Sequence, residues 1–194
     1  MGRAVLNVQR VDATLYIPFI ELWLAHRIEA GSSPEVAQRL AQDGTLRAAL
    51  ERPDVSAFIA FQDARPAGYI VIGDTTRSLL VDSPSVTIDM LYVAPELRRT
   101  GVAKALLAAC ARYADRQGAE HISSLVPAQD RDTNRFFARL GFASETVRRV
   151  TTSVALQRRL AREGMTRYSL EQVLQRRRDV RGRLGQPRPP QIAG

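Results

Sequence analysis

The chain opens on a period of two. Val5, Asn7 and Gln9 alternate with Leu6, Val8 and Arg10, which predicts a strand. Over residues 13–30 the apolar residues Leu15, Ile17, Phe19, Ile20, Leu22, Trp23 and Leu24 are dense and broadly helical in spacing, up to Gly31. Ser33 is a natural N-cap with Pro34 at the first helical position, and Val36, Leu40, Leu46 and Leu50 carry one helical face until Arg52-Pro53 stops it. Two helices are therefore expected after the first strand. Apolar runs at 55–61 and 68–72, separated by the polar stretch 62–67, predict an antiparallel hairpin. A polar connection over 73–85, interrupted by Leu79-Leu80-Val81, leads to a strand at 86–93 and a helix from about 101 to 117. A strand at 121–126 follows, then a short helix at 131–140 closed by Gly141, then a last strand from 142 to about 150. The order is β-α-α-β-β-β-α-β-α-β, an α+β domain over residues 1–150.

The last forty residues change character. Leu156 and Leu160 with Arg158, Arg159 and Arg162 predict a helix ending at Gly164, and Ser169-Leu170-Glu171-Gln172 matches a capping box ahead of Arg176-Arg177-Arg178. A basic helical extension over 151–185 is expected, followed by a tail over 186–194. Its Pro187, Pro189 and Pro190 favour an extended or disordered end.

Charge sharpens that division. Of the formal net charge of +8, residues 148–194 carry +9 and residues 1–147 carry −1, so the extension is the basic object and the domain is nearly neutral. Arg176 to Arg178 with Arg181 and Arg183 could grip phosphates. A nucleic acid or large anionic assembly is accordingly one expected partner of residues 165–183, and a packing role for the segment is the competing expectation. No run of about 18 apolar residues could cross a bilayer, and Met1-Gly2-Arg3 leads directly into the first strand pattern, so no membrane association and a cytoplasmic location are expected. The lone Cys110 falls in an apolar helical run and is expected to be buried and inert. With His26 and His121 far apart in sequence, no metal-ligand cluster is visible.

The stretch Leu91-Tyr92-Val93-Ala94-Pro95-Glu96-Leu97-Arg98-Arg99-Thr100-Gly101-Val102-Ala103-Lys104 carries the chemistry. A strand stops, a Pro-containing turn follows, and a helix begins with basic residues and a glycine, so unpaired N–H groups and the positive end of a helix dipole converge where a phosphate would bind. Gly101 permits close approach or positive φ, small Ala103 keeps the helix start open, and Arg98 and Arg99 can add charge-assisted contacts.

Arg98-x-x-Gly101-x-Ala103, after a strand ending in Leu-Tyr-Val, resembles the acyl-CoA pyrophosphate signature of the GNAT superfamily. Asn134-Arg135-Phe136-Phe137-Ala138-Arg139-Leu140-Gly141-Phe142 is similar to that family's fourth helix and the start of its next strand. The resemblance covers about residues 3–150. It implies a central mixed, mostly antiparallel sheet, splayed at the acyl-CoA site and flanked by four helices. It implies an N-acetyltransferase using acetyl-CoA, or a binder of CoA, with a primary amine of a small molecule or protein as acceptor. The cofactor-binding set it implies is the backbone of Leu91, Tyr92 and Val93, then Arg98, Arg99, Thr100, Gly101, Val102, Ala103 and Lys104, with Asn134 and Phe137 on the downstream helix.

Three positions depart from the family pattern, one of them Asp130, where an Asn is often found seven residues before Phe137. Where many relatives carry a Tyr that protonates the departing thiolate, this chain has Phe137, and where many carry a Glu on the central strand it has Thr87. Asp89 is the nearest carboxylate and the candidate for a catalytic base or amine-orienting group, the alternative being a carboxylate paired with a nearby Arg; it shares a face with Thr87, Leu91 and Val93 if no bulge shifts the register. His26, Glu29 and His121 are weaker candidates for the base, read first as solvated or structural. The family usually has two strands after the position of Gly141. Residues 150–156 or a second subunit would have to supply the second, so a homodimer is also an expectation. The alternative to an enzyme is a binding module of this fold whose basic extension docks on an anionic partner.

Overall fold

The computed structural model describes residues 5–76, 83–145 and 149–162. The chain divides into two compact units, Met1–Ala143 and Ser144–Gly194. In the first, β1 (Leu6–Arg10) is followed by three helices, α1 (Tyr16–Glu29), α2 (Pro34–Gln42) and α3 (Thr45–Leu50). Then come β2 (Val55–Gln62), β3 (Arg65–Thr76) and β4 (Pro84–Val93), a short 3-10 turn at Pro95–Leu97, α4 (Val102–Arg116), β5 (His121–Ser124) and α5 (Arg131–Ala138). The sheet order is β1-β2-β3-β4-β5. The first four strands are antiparallel, and β5 joins β4 in parallel, the geometry that a crossover through α4 requires.

Three local outcomes differ from the sequence expectations, each for a local reason. The single helix expected over the Leu40–Leu50 face is two, because Gly44 adopts φ +81 and Asp43 Oδ1 accepts a hydrogen bond from the Thr45 amide at 2.8 Å, which restarts the helix. The hairpin turns on only Asp63 and Ala64, both at positive φ (49° and 66°), so β3 begins at Arg65 and takes up residues read as loop. The strand expected over 142–150 is absent among its described residues, 142–145 and 149–150. There Gly141 (φ +90) and Phe142 close α5 instead. The Phe142 amide donates to the Phe137 carbonyl at 3.2 Å, the Gly141 amide to Ala138 at 3.1 Å, and the Phe142 ring packs on Phe137 with centroids 4.8 Å apart. This is the Schellman pattern with its hydrophobic contact.

The sheet buries both faces, and strand alternation sorts its residues between them. Phe58, Ala60, Ile70 and Ile72 meet Val102, Leu106, Ala109, Cys110 and Tyr113 of α4, whose spacing draws one apolar stripe along that helix. Ala57, Ile59, Tyr69 and Tyr92 face the other way, onto Phe19, Leu22 and Trp23 of α1. Cys110 is fully buried, and burial pushes its thiol up to about 11, so it is inert at neutral pH. Where β3 crosses β4, a side chain at Gly68 would meet the Tyr92 carbonyl oxygen at 2.4 Å, so this close approach requires glycine.

Of the second unit, a helix over 153–162 is described. Thr152 caps it: its Oγ1 accepts from the Ala155 amide at 3.2 Å and its carbonyl from the Leu156 amide at 3.0 Å. The capping box at 169–172, the arginine run at 176–178, the Pro-rich tail and the docking segment 165–183 lie outside the described residues. Among the described residues no helix is long and apolar enough to cross a membrane.

Candidate active site

The site begins with a bulge. Val71 of β3 pairs with Met90 and Ile72 with Ile88, leaving Asp89 as the extra residue on β4. The bulge reverses the expected facing. Val86, Ile88, Leu91 and Val93 pack on the α4 side, whereas Met90 and Tyr92 pack on the α1 side. Thr87 and Asp89 therefore do not share a face with Leu91 and Val93. Asp89 is exposed at the bulge, and the Thr87 hydroxyl sits 3.1 Å from that of Thr75 and 2.9 Å from that of Ser123.

Just beyond the bulge, β4 and β5 part. Their pairing runs only from Ser85–His121 to Ile88–Ser124. On the other edge β4 stays bonded to β3. The Ala94 amide donates to the Ala67 carbonyl at 2.9 Å, and the antiparallel alternation then assigns the polar groups of Tyr92 and Met90 to β3 as well. The N–H and C=O groups of Leu91 and Val93 consequently point into the gap left by β5. Arg98 Nε donates to the Val93 carbonyl at 3.1 Å, consistent with that direction.

The gap leads to the start of α4. Arg99 (φ 66) and Gly101 (φ 101) are both left-handed, and the first intrahelical bond runs from the Ala105 amide to the Gly101 carbonyl at 3.0 Å. The amides of Val102, Ala103 and Lys104 thus precede the helical ladder, and the first turn holds no acidic residue to compete for them. A Cβ at Gly101 would have room, the nearest atom being Leu6 Cδ1 at 3.7 Å, so glycine is required there by conformation and not by space.

On the α1 side of the same strand end, His26 stacks on Tyr92 (centroids 4.7 Å apart, planes at 15°) and its Nδ1 lies 2.6 Å from the Tyr69 hydroxyl. Burial lowers the His26 pKa below its ordinary value, outweighing the opposing charge of Glu29. Glu29 accepts a hydrogen bond from Arg98 at 2.5 Å, and that contact holds its carboxyl below the usual range. Arg98 thereby ties the end of α1 to the end of β4.

These parts line one cleft of about 870 Å³, closed on its far wall by Asp130, Asp132, Thr133, Phe136 and Arg139. Of the residues expected from sequence, Leu91, Tyr92, Val93 and Arg98 line it, as do Arg99, Gly101, Ala103 and Lys104. The other five stand back. Asp89 is at the bulge. The Thr100 hydroxyl lies 2.6 Å from the Leu97 carbonyl and 2.9 Å from Gln62 Oε1, and the Val102 side chain is buried under α4. Asn134 spends its amide on the Pro127 and Asp130 carbonyls (3.0 and 2.6 Å), and Phe137, 5% exposed, belongs to the core. His26 and Glu29, read from sequence as solvated or structural, line the cleft. The histidine's position late in the first helix was the only signal, and nothing local tied it to Tyr69. Among the described residues no group of three potential ligands could hold a metal ion.

A mixed sheet whose parallel pair comes apart in front of a basic helix N-terminus defines a class of α+β domain with an open strand edge at a cleft. The profile of the acetyltransferase (GNAT) family matches residues 19–142, and the chain belongs to that family. The fold is shared with an aminoglycoside N-acetyltransferase, AAC(6')-Iy, in complex with CoA (TM-score 0.64, 20% identity, 79% of this chain and 97% of that one). It is shared also with an aminoglycoside acetyltransferase from an uncultured soil metagenomic sample, in complex with trehalose (0.63, 19%, 76% and 95%). A third is a ribosomal-protein-alanine N-acetyltransferase from Brucella melitensis biovar Abortus 2308 (0.58, 19%, 76% and 99%). Compared by sequence with curated proteins, the chain has no match.

Proposed function

We propose that this protein is an N-acyltransferase that moves an acetyl group from acetyl-CoA to a primary amine of a small molecule or protein. The observation that carries the reading is the outward pair of backbone groups at Leu91 and Val93, opening into the same cleft as the free amides of α4. A pyrophosphate suits the amides of Val102, Ala103 and Lys104 with the charges of Arg99 and Lys104. Arg98, already committed to Val93 and Glu29, acts in this reading as a brace rather than a phosphate ligand. The amide-bearing arm of CoA suits the open edge of β4 as a substitute for the departed strand, and an N–H of Leu91 or Val93 would polarise the thioester carbonyl. Phe137 cannot protonate the leaving thiolate, which is a good enough leaving group to take its proton from the amine or from solvent. Use of acetyl-CoA goes with a cytoplasmic location.

The test is a calorimetric titration with acetyl-CoA, followed by thiol release on a panel of primary amines. Micromolar binding and amine-dependent thiol release support the reading. Binding without turnover of any amine favours the second reading, a CoA-binding module whose segment 165–183 docks on an anionic assembly, a reading motivated by Phe137. No binding by folded protein overturns both as far as CoA is concerned.

A further inference from the structure

We infer that His26 is the base that takes the proton of the acceptor amine, through Nε2, with Tyr69 as the positioning residue that fixes the tautomer. The inference rests on the acyl-transfer reading and replaces Asp89, which is exposed at the β4 bulge and does not line the cleft.

A primary amine with a pKa near that of lysine, about 10.4, is an ammonium at neutral pH and must lose a proton before it can attack. The cleft offers four candidate acceptors: Glu29, Asp130, Asp132 and His26. Glu29 is paired with Arg98 and is held below the usual carboxylate range by that contact, which makes it a weak base. Asp130 caps α5 by accepting from the Thr133 amide at 3.0 Å, and this hydrogen bond likewise lowers its pKa. Asp132 stands on α5, 98% exposed and 3.7 Å from Arg135, so solvent and a cation already serve it. His26 alone is half-buried, fixed in orientation and placed against β4.

Its orientation is set from two sides. Tyr92 stacks on the ring face, and the Tyr69 hydroxyl, buried beneath, meets Nδ1 at 2.6 Å. Tyr69 also points its hydroxyl at Met90 Sδ, 3.8 Å away. Assigning that hydrogen to sulfur makes the tyrosine oxygen the acceptor from Nδ1–H and leaves the Nε2 lone pair available, whereas a hydrogen directed at Nδ1 would reverse the tautomer. Burial raises the Tyr69 pKa, so the phenol keeps its proton throughout. The charges around the ring are Glu29 and Arg27 on α1 and Arg98 beyond β4, while Asp89 acts on Tyr69. Burial, with the two arginines, outweighs Glu29 and favours the neutral imidazole.

The proton balance is complete. The ammonium gives one proton to His26 Nε2, and the amine lone pair forms the C–N bond at the thioester carbonyl as the C–S bond breaks. A second amine proton goes to the thiolate, giving amide and free thiol, and the imidazolium returns its proton to solvent.

Two measurements test this. In the long-range proton–nitrogen spectrum of the two histidines, assigned with His26→Asn, His26 should show protonated Nδ1 and unprotonated Nε2 at pH 7.5; the opposite tautomer overturns the proposal whether or not any acceptor is turned over. Asparagine keeps a donor at the Nδ1 position, so His26→Asn should fold and bind acetyl-CoA like the wild type. Its kcat/KM should fall about 100-fold at neutral pH and recover about tenfold per unit as pH rises and free amine accumulates. Tyr69→Phe should move the acid limb of the wild-type profile to lower pH, since the imidazolium loses an acceptor. Turnover by His26→Asn with the wild-type rate and pH profile overturns the proposal alone. Acetyl-CoA binding without turnover of any amine by the wild type overturns the acyl-transfer reading and this proposal with it.

Discussion

The two sides of the open end of β4 are made from different materials. On the α4 side the working groups are backbone amides and carbonyls at Leu91, Val93 and residues 102–104, supplied by one continuous stretch of chain. On the α1 side they are side chains, His26, Glu29, Tyr69 and Tyr92, drawn from three elements. A backbone site tolerates most side-chain changes and fails where conformation or charge at the helix start is altered. A side-chain site fails atom by atom. In our reading the first holds the acyl donor and the second meets the acceptor, so donor binding and turnover should respond to different substitutions.

The largest effect expected outside catalysis is that of Gly101→Glu. It places a side chain at φ +101, which costs about 1–2 kcal/mol of backbone strain, and puts a carboxylate where the free amides would meet a phosphate. Acetyl-CoA affinity measured by calorimetry should fall by a factor of about 100 or more. Gly101→Ala supplies the strain without the charge and should cost about tenfold or less. Equal losses in the two variants would break the comparison, since charge at the helix start would then count for nothing.

Next comes Gly68→Ala, which touches neither set of working groups. Its Cβ would lie 2.4 Å from the Tyr92 carbonyl, 3.1 Å from Val93 Cα and 3.2 Å from Val102 Cγ1, so β3 and β4 must separate beneath both sides at once. Overpacking of this kind costs about 1–3 kcal/mol, read as a fall in Tm of roughly 2–4 °C per kcal/mol for a chain of this size. An unchanged Tm would mean that the strands are not held at this spacing.

Smaller again is Lys104→Ala. Lys104 is exposed at the third helical position, so its contact with a phosphate would be a partly screened charge pair rather than a buried one. Acetyl-CoA affinity should drop about fivefold, and less at high salt, with the His26 tautomer unaffected.

How much of this was legible in the sequence follows the same division. Residues 91–107 announce a strand, a turn and a helix start in one reading, because every group involved is local. The chain order of the first five strands was also readable, but the sorting of Ala57 and Ile59 from Phe58 and Ala60 was not, since all four are apolar and only packing tells the two faces apart. The bulge at Asp89 was not, because it is defined by what β3 places opposite it, and missing it turned the strand's facing around. The hairpin turn is shorter than the stretch 62–67 suggests, because Pro66 looks like a turn residue whereas the turn uses only Asp63 and Ala64 and β3 begins at Arg65. The strand expected after Gly141 gave way to the packing of Phe142 on Phe137, which spends the apolar residue that pattern relied on. His26 acquires meaning only from Tyr69, 43 positions away.

The smallest expected effect belongs to the pair that joins the two sides. Glu29 and Arg98 meet at 2.5 Å with side chains 40% and 47% exposed, and Arg98 also holds the Val93 carbonyl. Solvent screening at that exposure limits the pair to about 1 kcal/mol or less. Because the folded pKa of Glu29 is lowered, its contribution is present above the unfolded value and lost as pH falls through the lower folded value. Glu29→Gln should therefore lower Tm by about 3 °C or less at neutral pH, with the difference from wild type shrinking toward pH 3 and in high salt. Arg98→Ala should go further than Glu29→Gln by freeing the Val93 carbonyl, yet still weaken acetyl-CoA binding less than Lys104→Ala does. If Arg98→Ala proves the more damaging of those two, the arginine is a phosphate ligand after all, and the brace between the two sides must be sought elsewhere.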